Sequence, residues 1–500
     1  PMNIKRAKQE IKNTIQAYLL KDEFGRYVIP SIRQRPVLLI GAPGIGKTQI
    51  MEQIARECGV GLVSYTITHH TRQSAVGLPF IAKKEYGGRE YSVTEYTMSE
   101  IVASIYNKIE ETGLEEGILF IDEINCVSET LAPTMLQFLQ CKTFGNHKIP
   151  DGWLIAAAGN PPEYNKSVRE FDIVTLDRLK LIQVEPDFAV WKEYALQEAI
   201  HPAIISYLSV KEANFCRIET TVDGKLFATP RGWEDLSRLM EVYEELKLPV
   251  DREVIIQYIQ FPAIAKDFAN YLELYYKYEN DYQVDAILRG EIREELCEKV
   301  SRAPFDEKLS VISLLLTRLG TAFRNVWKEE LRLELLMKRL KSYGEQEGDG
   351  PARMAAILTA LTAEREGKKR AELLGRQEDR RYLQVMGELE NFCREIRERD
   401  LEDPEETWEA VKEMFAGIRE SYEGSWEEAG EMLEHGFDFM EAAFGDSQEM
   451  VIFVTNLNTS GYCVHFLQEY ECERYYQYNK NLLFEDREGE LKERISAYLE

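Results

Sequence analysis

The sequence predicts an α/β fold built on a parallel sheet with helices on both faces, followed by a long, mostly helical remainder. Three observations carry this. Arg35–Ile40, Gly117–Ile121 and Trp153–Ala158 are short apolar runs without polar alternation, as strands buried on both faces require. Segments of helical period lie between them, with Ile50, Met51 and Ile54 on one face of the first, so successive strands are joined by helical crossovers and run parallel. From about residue 190 the strand-like runs cease, and apolar positions such as Leu236, Leu239 and Met240 recur at helix spacing. The chain has 500 residues, 44% of them hydrophobic, which sustains several packed cores.

The first strand runs into Gly41-Ala42-Pro43-Gly44-Ile45-Gly46-Lys47-Thr48, which meets every fixed position of G-x-x-x-x-G-K-[ST]. A helix opens at Thr48-Gln49-Ile50. Strand, glycine turn and helix start are the geometry that a triphosphate needs. The glycines let backbone N–H groups converge on the phosphates, and the helix N-terminus adds partial positive charge. Gly41 through Gln49 are the expected nucleotide contacts, with Lys47 on the β- and γ-phosphates and the Thr48 hydroxyl on Mg²⁺.

The second strand of this set, Gly117–Ile121, ends in Asp122-Glu123. Asp122 is placed to hold the Mg²⁺ shell. Glu123 can polarise a water for attack on the γ-phosphate, which a small-molecule kinase does not need, so the pair favours hydrolysis of the triphosphate. The third strand ends in Asn160, an amide able to hold the attacking water or a phosphate oxygen. Further on, Thr229-Pro230-Arg231 opens a helix with Thr229 as cap and Pro230 in the first turn. Arg231 then stands where a cation can reach a phosphate from a neighbouring domain.

This ordered set resembles the AAA+ ATPases and, within them, the MoxR-like branch, over roughly residues 30 to 290. The residues that carry the likeness are GAPGIGKT at 41–48, Asp122-Glu123-Ile124-Asn125, Ala158-Gly159-Asn160-Pro161, Leu176-Asp177-Arg178 and Thr229-Pro230-Arg231. The resemblance implies that Lys47, Thr48, Asp122 and Glu123 are the Walker A and B residues. It makes Asn160 sensor 1, Arg231 sensor 2, and Arg178 the finger that enters the next subunit's site, with Arg169 in reserve. It also implies a ring, a hexamer, with a protein client and a partner carrying a von Willebrand A domain.

The expected fold is thus an α/β P-loop AAA+ module at 1–186, a helical lid at 187–285 and a mostly α-helical C-terminal region at 286–500. Two inserts resemble the MoxR pattern. The first, at about 69–97, includes an alternating hairpin around Tyr86-Gly87-Gly88-Arg89, and the second, at about 127–151, follows the Asp-Glu strand as a pre-sensor 1 hairpin would. His69 and His70 lack further ligands at metal-like spacing and read as structural. In the C-terminal region, 343–351 reads as a flexible break and Asp403-Pro404 as a capped helix start. Leu383, Met386, Cys393 and Ile396 read as a bundle stripe, and Asp486 to Leu499 as a solvated last helix.

The formal net charge of -26 makes nucleic acid a poor default partner, although Arg72, Lys83, Lys84 and Arg89 of the first insert leave a basic channel open. The tyrosine-rich runs at 271–282 and 470–478 come with acids and read as core or interface packing. Eight cysteines without C-x-x-C spacing read as reduced thiols of a cytoplasmic protein, and no apolar run approaches a membrane span. Two other functions compete with protein remodelling: an AAA+ motor acting on nucleic acid, and a nucleotide-gated scaffold with little turnover.

Overall fold

The computed structural model describes residues 1–69, 75, 77–144, 146–162, 164, 171–221 and 224–480. The chain folds as two compact units. The first comprises Pro1–Val190 and Leu361–Tyr382, and the second Trp191–Ala360 and the chain from Leu383 onward.

The first unit is built on five parallel strands: β1 (Val37–Gly41), β2 (Gly61–Thr66), β5 (Gly117–Asp122), β8 (Trp153–Gly159) and β9 (Lys180–Val184), in the order β2-β5-β8-β1-β9. β9 is an edge strand that the sequence reading did not anticipate. Its burial alternates, so it lacks the continuous apolar run of an inner strand. The inner strands are buried nearly throughout. Their side chains divide strictly by parity. Leu38, Leu119, Ile121, Ile155 and Ala157 join one core, whereas Val37, Leu39, Ile118, Phe120, Leu154 and Ala156 join the other. Helices α1 (Ile4–Leu19) and α2 (Lys47–Cys58) cover the second of these cores. Helices α3 (Glu100–Thr112) and α4 (Ala132–Cys141) cover the first. The register pairs Ile40 with Gly159 and Ile121 with Ala157. The carboxyl ends of β1, β5 and β8 therefore lie side by side, where ligands of open α/β sheets bind.

The hairpin expected in the first insert forms as β3 (Pro79–Tyr86) and β4 (Arg89–Tyr96), turning at Gly87-Gly88. His70 lies outside the described residues, and so does the side chain of His69. The second insert is mainly helix, because Leu131, Met135, Phe138 and Leu139 bury themselves in the core. Its ladder is confined to β6 (Thr143–Phe144) and β7 (His147–Lys148). Between α4 and β6 sits Lys142, with φ 56° and 4% exposed. Burial pushes its ammonium down to about 8; Lys148 acts in the same direction and Asp151 opposes them. The unfolded chain keeps this proton to higher pH than the folded one, so stability should rise as pH goes from about 8 toward 10. Below pH 8 both states hold the proton, and the folded state bears the full cost of the buried charge. Thermal unfolding of Lys142→Met should show a gain of about 1–3 kcal/mol at pH 7 and loss of that rise. An unchanged pH profile would contradict the assignment.

Among the described residues the second unit is helical apart from a hairpin, β10 (Arg217–Thr221) and β11 (Gly224–Ala228), that helix spacing alone concealed. Its longest helices are Phe305–Leu340 and Pro404–Phe444. Asp403 caps the latter through Glu405 N–H and Glu406 N–H, as its sequence indicates. Thr229 likewise accepts from Gly232 N–H at 3.2 Å. The segment 343–351 is an ordered corner rather than a flexible break. Tyr343 stacks on Trp408 at 4.9 Å and donates to the Pro404 carbonyl, and Gly350 lies against Thr407. Of the stripe expected here, Cys393 and Ile396 are buried and Met386 is half-buried, but Leu383 is 47% exposed. Tyr382, Val385, Leu389 and Phe392 complete the buried face. In the run at 271–282, Tyr275 and Tyr282 are core residues. The expected last helix, from Asp486, lies outside the described residues.

Candidate functional site

β1 delivers the chain into the glycine loop, and α2 carries it away. Gly44 and Gly46 have φ 76° and 89°, a left-handed backbone that β-carbon sterics disfavour. Gly46 is the N-cap of α2, so the unpaired N–H groups of the first helical turn face the loop. Ala42 and Ile45 are buried, Pro43 is half-buried, and Gln49 is exposed one turn into the helix. Gly41 has no room for a side chain, since a β-carbon there would approach the Val184 carbonyl to 2.5 Å.

Lys47 is 7% exposed, and its ammonium donates to the carbonyls of Gly41 and Ala42, both at 2.7 Å. It also donates to Asn160 Oδ1 at 3.0 Å. Thr48 Oγ1 donates to Asp122 Oδ2 at 2.7 Å. The sheet register thus joins the loop residues to the ends of β5 and β8, and Lys47, Thr48, Asp122 and Asn160 form one group. Glu123 stands beside it with φ 56°, its amide donating to Asp122 Oδ1 at 2.9 Å. Its carboxylate accepts from Thr68 Oγ1 at 3.1 Å.

The sequence reading missed three members of this neighbourhood. Thr68 follows β2 and fixes the Glu123 carboxylate. Asn125 Nδ2 donates to the Asn160 carbonyl at 2.7 Å, holding the end of β8. Its Oδ1 is buried against Gly159 with no hydrogen-bond partner among the described residues, and a β-carbon on Gly159 would come within 2.5 Å of it. Gly159 therefore has to be glycine for Asn125 to reach Asn160. The third, Gln140 of α4, accepts a hydrogen bond from Arg178.

Arg178 follows the short helix α5 (Ile173–Leu176) and is exposed. No hydrogen bond among the described residues joins it to the Lys47 group. Beside it Ile173 and Val174 are 85% and 62% exposed. Asp172 caps α5 through Thr175 N–H, and that bond holds its carboxyl below the usual range. Arg169 lies outside the described residues. Arg231 belongs to the second unit, exposed in the first turn of the helix Pro230–Glu245.

The donor set fits a nucleoside triphosphate with Mg²⁺ on two observations. Left-handed glycines and a helix N-terminus with a buried ammonium make a phosphate cradle. The Thr48 hydroxyl and Asp122 carboxylate meet as a pair of hard oxygen ligands. Gly41 to Gln49 would hold the nucleotide, and Thr48 and Asp122 the ion.

Residues 37–176 match the family model described as ATPase family associated with various cellular activities (AAA). No curated protein matches the sequence. Among solved structures, a point mutant of RuvB from Thermotoga maritima is similar at 18% identity, covering 52% of this chain and 69% of that one, with a TM-score of 0.27. A second RuvB mutant from the same organism shares 14% identity over 52% and 70%, with a TM-score of 0.30. Among the described residues no helix is long and apolar enough to cross a membrane, and all eight cysteines are free thiols. Residues 37–176, the segment that matches the AAA model, hold four of the five sheet strands and the whole phosphate cradle.

Proposed function

We propose that the protein is a ring-forming, ATP-hydrolysing remodeller of the MoxR type that acts on a protein client. The observation that carries hydrolysis is the placement of Glu123. Its carboxylate is oriented by Thr68, next to the Thr48–Asp122 pair but outside it, so it remains available to accept a proton from water. Lys47 and the loop N–H groups bind and orient the phosphates, and Asn160 orients the water through Oδ1. Mg²⁺, when held by Thr48 and Asp122, neutralises charge developing on the phosphates.

Assembly is supported by Arg178. It is exposed, flanked by exposed apolar residues and separate from its own chain's Lys47 group, as a residue acting on a neighbouring copy would be. The hexamer and the MoxR assignment rest on the order of motifs and on the β3–β4 hairpin, and a von Willebrand A domain partner follows from that assignment. A protein client is preferred to nucleic acid because two of the three cations in the β3–β4 hairpin are neutralised within it. Lys83 pairs with Glu90 and Lys84 with Glu95.

The test is the ATPase rate against protein concentration, with particle mass from light scattering. The rate should rise cooperatively as the assembly forms, and DNA and RNA should leave it unchanged. A concentration-independent rate from a monomer would overturn assembly-dependent hydrolysis, and strong stimulation by nucleic acid would overturn the client class.

A further inference from the structure

We propose that the second unit binds an organic oxyanion, a phosphate or carboxylate head on an apolar body, in a cavity far along the chain from the glycine loop. The cavity measures about 900 Å³, within the range of sites for metabolite-sized ligands. Its walls include Ile200, Ile205, Leu309, Ile312, Leu316 and Ile452.

Three cations, one histidine and three acids line it, and their pairing is uneven. His201 meets Glu244 at 2.8 Å, and Arg318 meets Glu279 at 2.7 Å. Two cations are left over. Lys192 donates to Asn456 Oδ1 at 2.6 Å and meets no carboxylate among the described residues. Burial lowers its proton affinity, as expected for an ammonium held without a counter-ion. Arg324 has no hydrogen bond or ion pair among the described residues, and its Nε is buried. The remaining acid, Glu241, feels the Arg324 charge without touching it. Burial, aided by Glu244, raises its carboxyl toward the neutral form, while His201, Arg324 and Arg238 oppose this.

A third donor is independent of these. Tyr275 lines the same cavity, is 2% exposed, and its hydroxyl has no partner among the described residues. Its neighbours on the helix Pro262–Tyr282 show what is usual here. Tyr271 meets Ser206 and Ser310, Tyr276 donates to Glu244, and Tyr282 donates to Glu307. Buried donors are rarely left unmatched, because each forfeits its hydrogen bonds to water. A guanidinium and a phenol with no acceptor among the described residues, beside an ammonium bonded to a neutral amide and to no carboxylate, are the complement of an oxyanion.

The probe for this site is 8-anilinonaphthalene-1-sulfonate, an oxyanion on an aromatic body, titrated calorimetrically into the full chain. A Lys47→Ala background removes the glycine loop as an anion site, so the result is independent of the ATPase reading. One saturable site is expected, with inorganic phosphate competing for it. Affinity should fall about tenfold or more in Lys192→Met and in Arg324→Met, and about threefold in Tyr275→Phe. Tyr275→Phe preserves the packing volume and keeps the inference testable if a charge variant fails to fold by circular dichroism. Equal affinity in the folded variants, non-saturating binding, or no competition from phosphate would overturn the assignment.

Discussion

Glu123→Gln should bind nucleotide as tightly as the parent chain and turn it over roughly 10²–10⁴ times more slowly. The amide matches the carboxylate in shape and still offers an oxygen to Thr68, whose hydrogen bond of 3.1 Å orients the group. What it loses is the ability to take a proton from water. Lys47, Thr48, Asp122 and Asn160 are joined to one another by bonds that do not pass through the Glu123 side chain, so the cradle survives the exchange. Single-turnover hydrolysis, read beside equilibrium binding of a fluorescent nucleotide, separates the two effects. Unchanged hydrolysis would remove Glu123 from the chemistry, and lost binding would mean that it supports the cradle instead.

Arg178→Ala should be as damaging to turnover, by about 10³–10⁵, while leaving binding and assembly size intact. The guanidinium is exposed and donates to Gln140, so removing it costs the fold little. Arg178→Lys should not restore the rate, because a lysine lacks the planar fork of donors. The decisive version mixes Arg178→Ala chains with Glu123→Gln chains. Each alone is inactive, but in a mixed assembly an intact Glu123 can meet an intact Arg178 across an interface. Recovered activity would establish action in trans. A mixture as inactive as its parts would return Arg178 to a structural role beside Ile173 and Val174.

Much of the site was legible because it is written in contiguous residues. Gly41 to Thr48 is a single loop, and Asp122-Glu123 and Asn160 each end an apolar run, so linear pattern and local geometry coincide. Thr68, Asn125 and Gln140 could not be read that way. Their partners lie 55, 35 and 38 residues away, and only the sheet register and the packing of α4 bring them together. The same distinction explains the errors in the helical region. A Gly-rich segment at 343–351 looks free until Tyr343 and Gly350 find Trp408 and Thr407 some 60 residues on. The stripe of this helix holds at Cys393 and Ile396 but not at Leu383, because Leu383 and Tyr382 are both apolar enough to start a helical period and only the packed neighbours choose between them.

The first unit is discontinuous in sequence, and that sets a clock on its folding. Its sheet, loop and helices α1–α5 are all encoded before residue 190, yet Leu361–Tyr382 completes it, with Lys108 bound to Glu372 at 2.7 Å across 264 residues. On a ribosome making 5–20 residues per second, the nucleotide cradle would wait roughly 10–40 s for its last segment. The intervening chain must also be gathered in, at an entropic cost that grows only slowly with its length. During synthesis the surface that this segment covers stands open to water and to other chains, so the nascent protein is most vulnerable to misassembly just when its glycine loop has already been made.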